Sequence, residues 1–120
     1  MSTASNLFRH ATDFKTVPAG ETIFREGQPG DVMYMVTEGE VDVLVHGKVV
    51  YSITGPGGVL GEMALIDTQP RSATAVAKSA CKLVPIDQKR FAFLVQQTPY
   101  FAIEVMQTMA ERLRRMNAAL

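Results

Sequence analysis

A mainly β domain with flanking α-helices, built as a sandwich or a jelly roll, is the fold class that the sequence predicts. Short apolar runs recur about every ten residues between residues 16 and 86, with Gly- and Pro-containing turns between them. Residues 87–120 instead carry apolar side chains at helical spacing. The 120 residues, 47% hydrophobic and 20% charged, fit a single domain over 1–120 that buries a core without disulfides.

A short helix over residues 5–14 is predicted before the β region. Ser5 or Asn6 suits its N-cap, because a short polar side chain accepts a hydrogen bond from the unpaired N–H groups of a first turn. The apolar residues of the segment recur at helical spacing, at Leu7, Phe8, Ala11 and Phe14. We expect this helix to pack against the element that follows.

The β region spans residues 16–86, and three of its runs show strand patterns. Residues 32–36 are apolar throughout, which is typical of a strand covered on both faces. Val41, Val43 and Val45 alternate with other residues, which gives the period of two of a strand. Alanines alternate over residues 73–77, and such small side chains leave room for a ligand, although a tightly packed core would show the same pattern.

Two helices are predicted after the β region. Asp87 is suited to cap residues 88–97, and Thr98 to cap a longer helix with Pro99 at its first position. The longer helix carries an apolar stripe at Phe101, Val105, Met109, Leu113, Met116 and Leu120. We expect part of the stripe to dock on the sandwich. Its last turns form a lid over a ligand, a dimer seam, or both; a helix of about 33 Å is longer than the domain needs, which favours self-association.

Residues 60–74 carry the groups best suited to binding a small anionic ligand. Gly61 permits a close backbone approach, and the residues after it are good helix formers whose first N–H groups would lack intrahelical partners and attract a phosphate. The planar guanidinium of Arg71 matches two phosphate oxygens, and the hydroxyl of Ser72 adds a donor. Ionised Glu62 only accepts hydrogen bonds, which suits a ribose hydroxyl. The alternative is a plain surface ion pair of Glu62 and Arg71, worth about 0–1 kcal/mol.

The run Gly-Glu-Met-Ala-Leu at 61–65, followed five residues later by Arg-Ser-Ala-Thr at 71–74, resembles the phosphate-binding cassette of cyclic-nucleotide-binding domains. Residues 18–31 resemble the opening strands of the same domains. The resemblance implies an eight-stranded β jelly roll (a double-stranded β-helix) with a short N-terminal helix and two C-terminal helices. The sequence departs from the family pattern at Leu60, where many members carry Phe.

The resemblance also implies roles for particular residues. Arg71 would hold the cyclic phosphate of cAMP, the preferred ligand, or of cGMP, while Glu62 would hold the ribose 2′-hydroxyl. Backbone groups and a hydroxyl would complete the cassette, at Gly61, Met63, Ala64 and Ser72. The base side would be formed by Leu60, Val43, Ala73, Arg112, Met116 and Asn117. Binding would move the terminal helices.

Other classes of function find little support. Twelve basic and twelve acidic residues give no electrostatic footprint for nucleic acid or membrane. Two histidines, His10 and His46, cannot assemble a metal enzyme, and the single Cys81 cannot hold an iron–sulfur cluster. We therefore expect no enzyme activity and no cofactor. One cysteine, no long apolar run and no signal peptide indicate the cytoplasm.

The expected function is that of a stand-alone regulatory receptor. No DNA-reading helix-turn-helix follows the long helix within these 120 residues, so we expect no direct binding to nucleic acid. The output would pass to an unidentified effector protein, with homodimerisation through the C-terminal helix as a further expectation. The alternative is a ligand-free or other-ligand member of the fold that acts as a protein-interaction or dimerisation module.

Overall fold

A computed structural model describes residues 7–8 and 11–118. The strands are β1 (Lys15–Val17), β2 (Thr22–Phe24), β3 (Val32–Glu38), β4 (Glu40–Val45), β5 (Lys48–Thr54), β6 (Gly58–Leu60), β7 (Thr74–Ala77) and β8 (Cys81–Asp87). The helices are α1 (Glu62–Asp67), α2 (Gln88–Gln97) and α3 (Pro99–Ala118). The predicted order of strands, one short helix and two terminal helices is therefore confirmed.

Two four-stranded antiparallel sheets form the β region. One has the strand order β1-β8-β3-β6 and the other β2-β7-β4-β5. Neighbours are mostly distant in sequence: Met35 of β3 lies opposite Val84 of β8 and Val59 of β6. This arrangement confirms the predicted eight-stranded jelly roll, and it places the loop before α1 beside the strands of both sheets.

The core has two parts because the strands of the first sheet are covered on both faces. One cluster fills the space between the sheets and contains Val17, Val36, Val41, Val43, Ile53, Leu60, Ala75, Ala77, Cys81 and Leu83. The other lies between the first sheet and the helices and contains Phe8, Met33, Met35, Val59, Leu65, Val84, Ile86, Leu94, Phe101 and Val105. The apolar run at residues 32–36 thus contributes side chains to both clusters, as its composition predicted.

The terminal helices dock on the first sheet through only part of the predicted stripe. Asp87 caps α2 by accepting a hydrogen bond from the Arg90 N–H over 2.7 Å, as predicted. In α3, Phe101 and Val105 are buried, whereas Leu113 and Met116 are 61% and 58% exposed. The last turns of α3 therefore extend past the core that the first turns cover. Among the described residues, no helix is long and apolar enough to cross a bilayer.

The prediction of a helix through residue 14 is wrong at its C-terminal end. Residues 11–14 are not helical, and the chain enters β1 at Lys15, which pairs with Leu83 of β8. Strand pairing requires an extended backbone, so tertiary contacts override the local helical spacing. Phe8 contacts the Phe101 ring edge-on, with centroids 6.5 Å apart. Leu7 is helical and packs against the cluster between the first sheet and the helices. The remaining predicted helical positions, including the Ser5 and Asn6 caps and His10, lie outside the described residues.

Candidate ligand-binding site

The cassette begins where β6 ends, at Gly61, and the backbone conformation there requires a glycine. Gly61 has φ 78° and precedes α1 as its N-cap residue. A left-handed φ is costly for a residue with a Cβ. A Cβ here would also lie 2.5 Å from Nη1 of Arg71. Gly61 therefore allows both the sharp turn from strand to helix and the close approach of the arginine.

Arg71 is buried, with 6% of its surface exposed. Its backbone is held by the loop between β2 and β3: the Arg71 N–H donates to the Gln28 carbonyl and the Gly27 N–H donates to the Arg71 carbonyl, each over 2.8 Å. Burial lowers the pKa of Arg71, an effect opposed by nearby Tyr34, Asp31 and Glu62. Because an arginine side chain is not deprotonated in proteins, Arg71 keeps its charge at neutral pH despite this lowering of its pKa.

The Arg71 guanidinium retains donors that no described group uses. Nη1 donates to the Gly61 carbonyl over 3.3 Å. Nε is buried and has no hydrogen-bond partner among the described residues. None of the ion pairs in that part of the chain includes Arg71. The site therefore presents a buried positive charge with unused donor capacity, which is the chemistry of an anion site.

Glu62, the first residue of α1, is 4% exposed and pairs with a residue of α3. Nη1 of Arg112 lies 2.5 Å from Oε1 of Glu62, and Nη2 of Arg112 donates to the Val59 carbonyl. The Arg112 guanidinium also lies over the Tyr51 ring, 5.0 Å from its centroid. The alternative interpretation, a plain surface ion pair of Glu62 and Arg71, is therefore wrong. Both side chains are buried, and Glu62 pairs with Arg112 of α3 instead.

A cavity of about 40 Å³ lies between these groups. Nine of the twelve predicted site residues line it: Val43, Leu60, Gly61, Glu62, Met63, Ala64, Arg71, Ser72 and Ala73. It is lined in addition by Phe24 and Tyr51, which the sequence analysis did not select. The volume holds about one water molecule, far below the roughly 300 Å³ at which ligand pockets begin. The cavity as it stands is too small for a nucleotide.

The three predicted residues of α3 differ in position. Arg112 reaches the site through Glu62, although it does not line the cavity. Met116 and Asn117 are exposed and do not line it either. The structure thus brings together the residues of the cassette and the sandwich, while the end of α3 stays apart from them. No group of three or more His, Cys, Asp or Glu side chains that could hold a metal occurs in the described part of the chain.

The chain belongs to the cyclic nucleotide-binding domain family, whose family model matches residues 14–98. This match covers both sheets, α1 and α2, and it confirms the resemblance carried by residues 61–65 and 71–74. The fold is that of a regulatory, ligand-binding domain.

Known proteins similar to the chain include a cyclic nucleotide-gated potassium channel of Mesorhizobium japonicum, which is 42% identical over 98 residues, or 82% of this chain and 27% of the channel. Cyclic-AMP-bound PfPKA-R superimposes with a TM-score of 0.76 at 29% identity, over 88% of this chain and 36% of that one. The catabolite activator protein of Thermus thermophilus has the same TM-score at 28% identity, over 99% of this chain and 58% of that one. The chain thus spans less than two thirds of each of these relatives.

Proposed function

We propose that this domain is a receptor for a cyclic mononucleotide, with cAMP preferred and cGMP as the other candidate ligand. The observation that carries the proposal is the buried Arg71 side chain, whose Nε has no partner among the described residues. A buried donor left unpaired costs about 1–3 kcal/mol. A cyclic phosphate would accept from it and neutralise the buried charge. The cAMP-bound relative of similar fold supports the choice of ligand.

The remaining cavity residues suit the rest of such a ligand. The Glu62 carboxylate would accept a hydrogen bond from the ribose 2′-hydroxyl, and Ser72 would add a donor for the phosphate. The backbone of Gly61, Met63 and Ala64 would lie against the ligand. The apolar side of the cavity, formed by Val43, Leu60 and Ala73, would contact the base. The contacts of Arg112, Met116 and Asn117 with a base remain predictions for the liganded state.

Ligand binding is expected to move α3. The cavity is too small for a nucleotide, and the Glu62 carboxylate that would hold the ribose is paired with Arg112 of α3. A nucleotide would therefore have to displace or rearrange this pair. Its affinity for the present arrangement of the pair would then differ from its affinity for the rearranged one. A ligand shifts a conformational equilibrium by that difference. We propose that this shift of the terminal helices is the signal.

The signal is proposed to reach another protein through the exposed face of α3. Apolar residues recur there at heptad spacing, at Ile103, Met106, Ala110 and Leu113, with Asn117 at the next such position. Spacing of this kind is typical of the seam of a two-stranded coiled coil, and a polar Asn in the seam fixes its register. We propose homodimerisation through this face, with an unidentified effector recognising the dimer.

The proposed location is the cytoplasm. A single free, buried thiol, Cys81, fits a receptor in this reducing compartment.

A ligand-free interaction module is the second candidate. The exposed apolar face of α3 would serve it equally well, since that face does not involve the cavity. This module offers no reason, however, for burying Arg71 without a salt bridge among the described residues. The receptor is therefore the function we favour.

Calorimetric titration of the purified chain with cAMP and then with cGMP tests the proposal. We expect saturable binding to the wild type, with cAMP binding more tightly. Arg71→Ala should lose about 10-fold or more in affinity, because a hydrogen bond to a charged group contributes about 1.5–3 kcal/mol. Arg71→Lys is the matched control: it keeps the charge without the planar fork and should retain part of the affinity.

Two results would decide against the proposal. Wild-type protein that binds neither nucleotide at millimolar concentration would favour the ligand-free module. Equal affinity of wild type and Arg71→Ala would place any binding outside this cavity. Amide hydrogen exchange in α3, measured with and without saturating cAMP, separates transmission from binding: unchanged exchange would leave a receptor whose α3 does not carry the signal.

A further inference from the structure

The Arg71 guanidinium lies against the face of an aromatic ring. Its Cζ is 4.1 Å from the centroid of Phe24, and that ring is in turn stacked on Tyr34, with centroids 6.4 Å apart and planes 20° apart. A guanidinium is attracted to the negative face of an aromatic ring, most strongly where water is excluded. The Arg71 guanidinium thus lies over the Phe24 ring, which lines the cavity, and Tyr34 is a ring neighbour of Phe24.

Two glycines close the other sides of the guanidinium. A Cβ on Gly30 would overlap Nε and Cζ of Arg71, and a Cβ on Gly61 would lie 2.5 Å from Nη1. The guanidinium therefore rests against bare backbone on two sides and against a ring on a third. These neighbours restrict the rotation of the guanidinium, and we expect them to fix its plane before a ligand binds.

Among the described residues, no carboxylate orients the Arg71 guanidinium through an ion pair. None of the ion pairs of the described residues includes Arg71, and the only hydrogen bond that its side chain makes there goes to a backbone carbonyl. An arginine oriented by a carboxylate has part of its charge neutralised and two donors occupied. Orientation by a ring leaves both the charge and the donors for an incoming anion.

We infer that Phe24 is a positioning residue for the anion site: it fixes the plane of the Arg71 guanidinium and so determines which exocyclic oxygen of a cyclic phosphate that plane meets. The inference rests on the proposed function. Phe24 precedes Arg71 by most of the β region, in β2, and nothing in the cassette itself specifies a ring at this place.

Two phosphorothioate diastereomers of cAMP, Sp-cAMPS and Rp-cAMPS, test this inference. Each replaces a different exocyclic oxygen by sulfur, so the ratio of their Kd values reports how firmly the guanidinium is oriented. We expect the wild type to discriminate between them about tenfold, the value of one charge-assisted hydrogen bond. Phe24→Leu should weaken cAMP binding about two- to thirtyfold, the range of a cation–π contact, and bring the ratio towards one.

Two controls separate positioning from a general loss of structure. Phe24→Tyr keeps the ring face and should restore both the affinity and the ratio. Phe91→Leu removes a ring of the same size from α2, where it packs on the cluster between the first sheet and the helices; it does not line the cavity, and its loss should leave the ratio unchanged. Unchanged selectivity in Phe24→Leu, or a wild type without selectivity, would overturn the inference.

The ligand-free protein supplies a readout that does not depend on nucleotide binding. In an ¹⁵N-resolved NMR spectrum, the Nε–H proton of Arg71, assigned by its loss in Arg71→Lys, should be shifted upfield by the Phe24 ring and should exchange slowly. Both properties should disappear in Phe24→Leu. An unperturbed chemical shift in the wild type would directly contradict the contact between the Arg71 guanidinium and the Phe24 ring. A shifted signal in a protein that binds no cyclic nucleotide would instead refute the proposed function and, with it, the assigned role of Phe24.

Discussion

Gly61 shows how one residue can carry two physical requirements. Its φ of 78° belongs to the left-handed region, and its missing Cβ leaves the space in which Nη1 of Arg71 lies. The two requirements can be separated, because Gly47 has nearly the same φ, 80°, with no atom within 4 Å of a Cβ added there. Gly47 is thus a matched control for backbone strain alone.

Gly61→Ala and Gly47→Ala should both lower the free energy of unfolding by about 1–2 kcal/mol, the cost of a left-handed conformation for a residue with a Cβ. Gly61→Ala should in addition weaken cAMP binding at least tenfold, because Arg71 has to move. Urea denaturation and calorimetric titration measure the two effects. Equal cAMP affinities of the two variants would mean that the approach of Arg71 to Gly61 is unimportant.

At this scale the structure brings the cassette residues selected from the sequence to one cavity, whereas several neighbouring residues of the cavity and of Arg71 were not selected. Residues 60–64 and 71–73 carry recognisable chemistry within a short stretch, and all of them line the cavity. Phe24, Tyr51 and Gly30 were missed as site residues. In sequence they are an ordinary strand Phe, an ordinary strand Tyr and a turn Gly, and only the pairing of distant strands brings them to Arg71 and Arg112.

Among the secondary-structure elements, α3 is joined to the cassette by the Glu62–Arg112 pair. The side chains are 5% and 14% exposed, so both charges are largely removed from water. Removing one partner of a buried pair leaves an uncompensated charge, which costs about 3–5 kcal/mol. The exposed pair Glu111–Arg115 on the same helix, with 64% and 59% exposure, lacks this penalty.

A double-mutant cycle with Glu62→Gln and Arg112→Gln should give a coupling energy of about 2 kcal/mol in urea denaturation. The cycle with Glu111→Gln and Arg115→Gln should give about 0.3–0.5 kcal/mol, as measured for exposed i,i+4 pairs. Comparable coupling in the two cycles would show that the buried pair does not hold α3 to the cassette, and the proposed route of transmission would then lack its physical link.

The helical stripe illustrates what periodicity alone can decide. The sequence predicted a stripe from Phe101 to Leu120, and its first members dock on the sheet. Leu113 is exposed instead, and it shares a second face with Ile103 and Met106. A helix carrying apolar residues over more than half its circumference does not reveal which of its faces meets the sandwich; the position of the sheet decides that.

For the molecule as a whole, the second face of α3 predicts self-association. Leu113→Glu places a charge in the proposed seam and should convert a dimer to a monomer in sedimentation velocity. Phe93→Glu is the matched control, because Phe93 is equally exposed, at 59%, but belongs to α2. A wild-type protein that stays monomeric at all concentrations tested would refute the homodimer and leave this face for the effector.

The sequence by itself determined the fold class, the order of the elements and the residues of the cassette, because periodicity, turn chemistry and a compact motif are local properties. Only the tertiary structure decided the ring beneath Arg71, the pairing of Glu62 with Arg112, the volume of the cavity, about 40 Å³, and the non-helical course of residues 11–14. Each of these depends on contacts between segments far apart in the chain, and no local pattern encodes which distant partner a side chain meets.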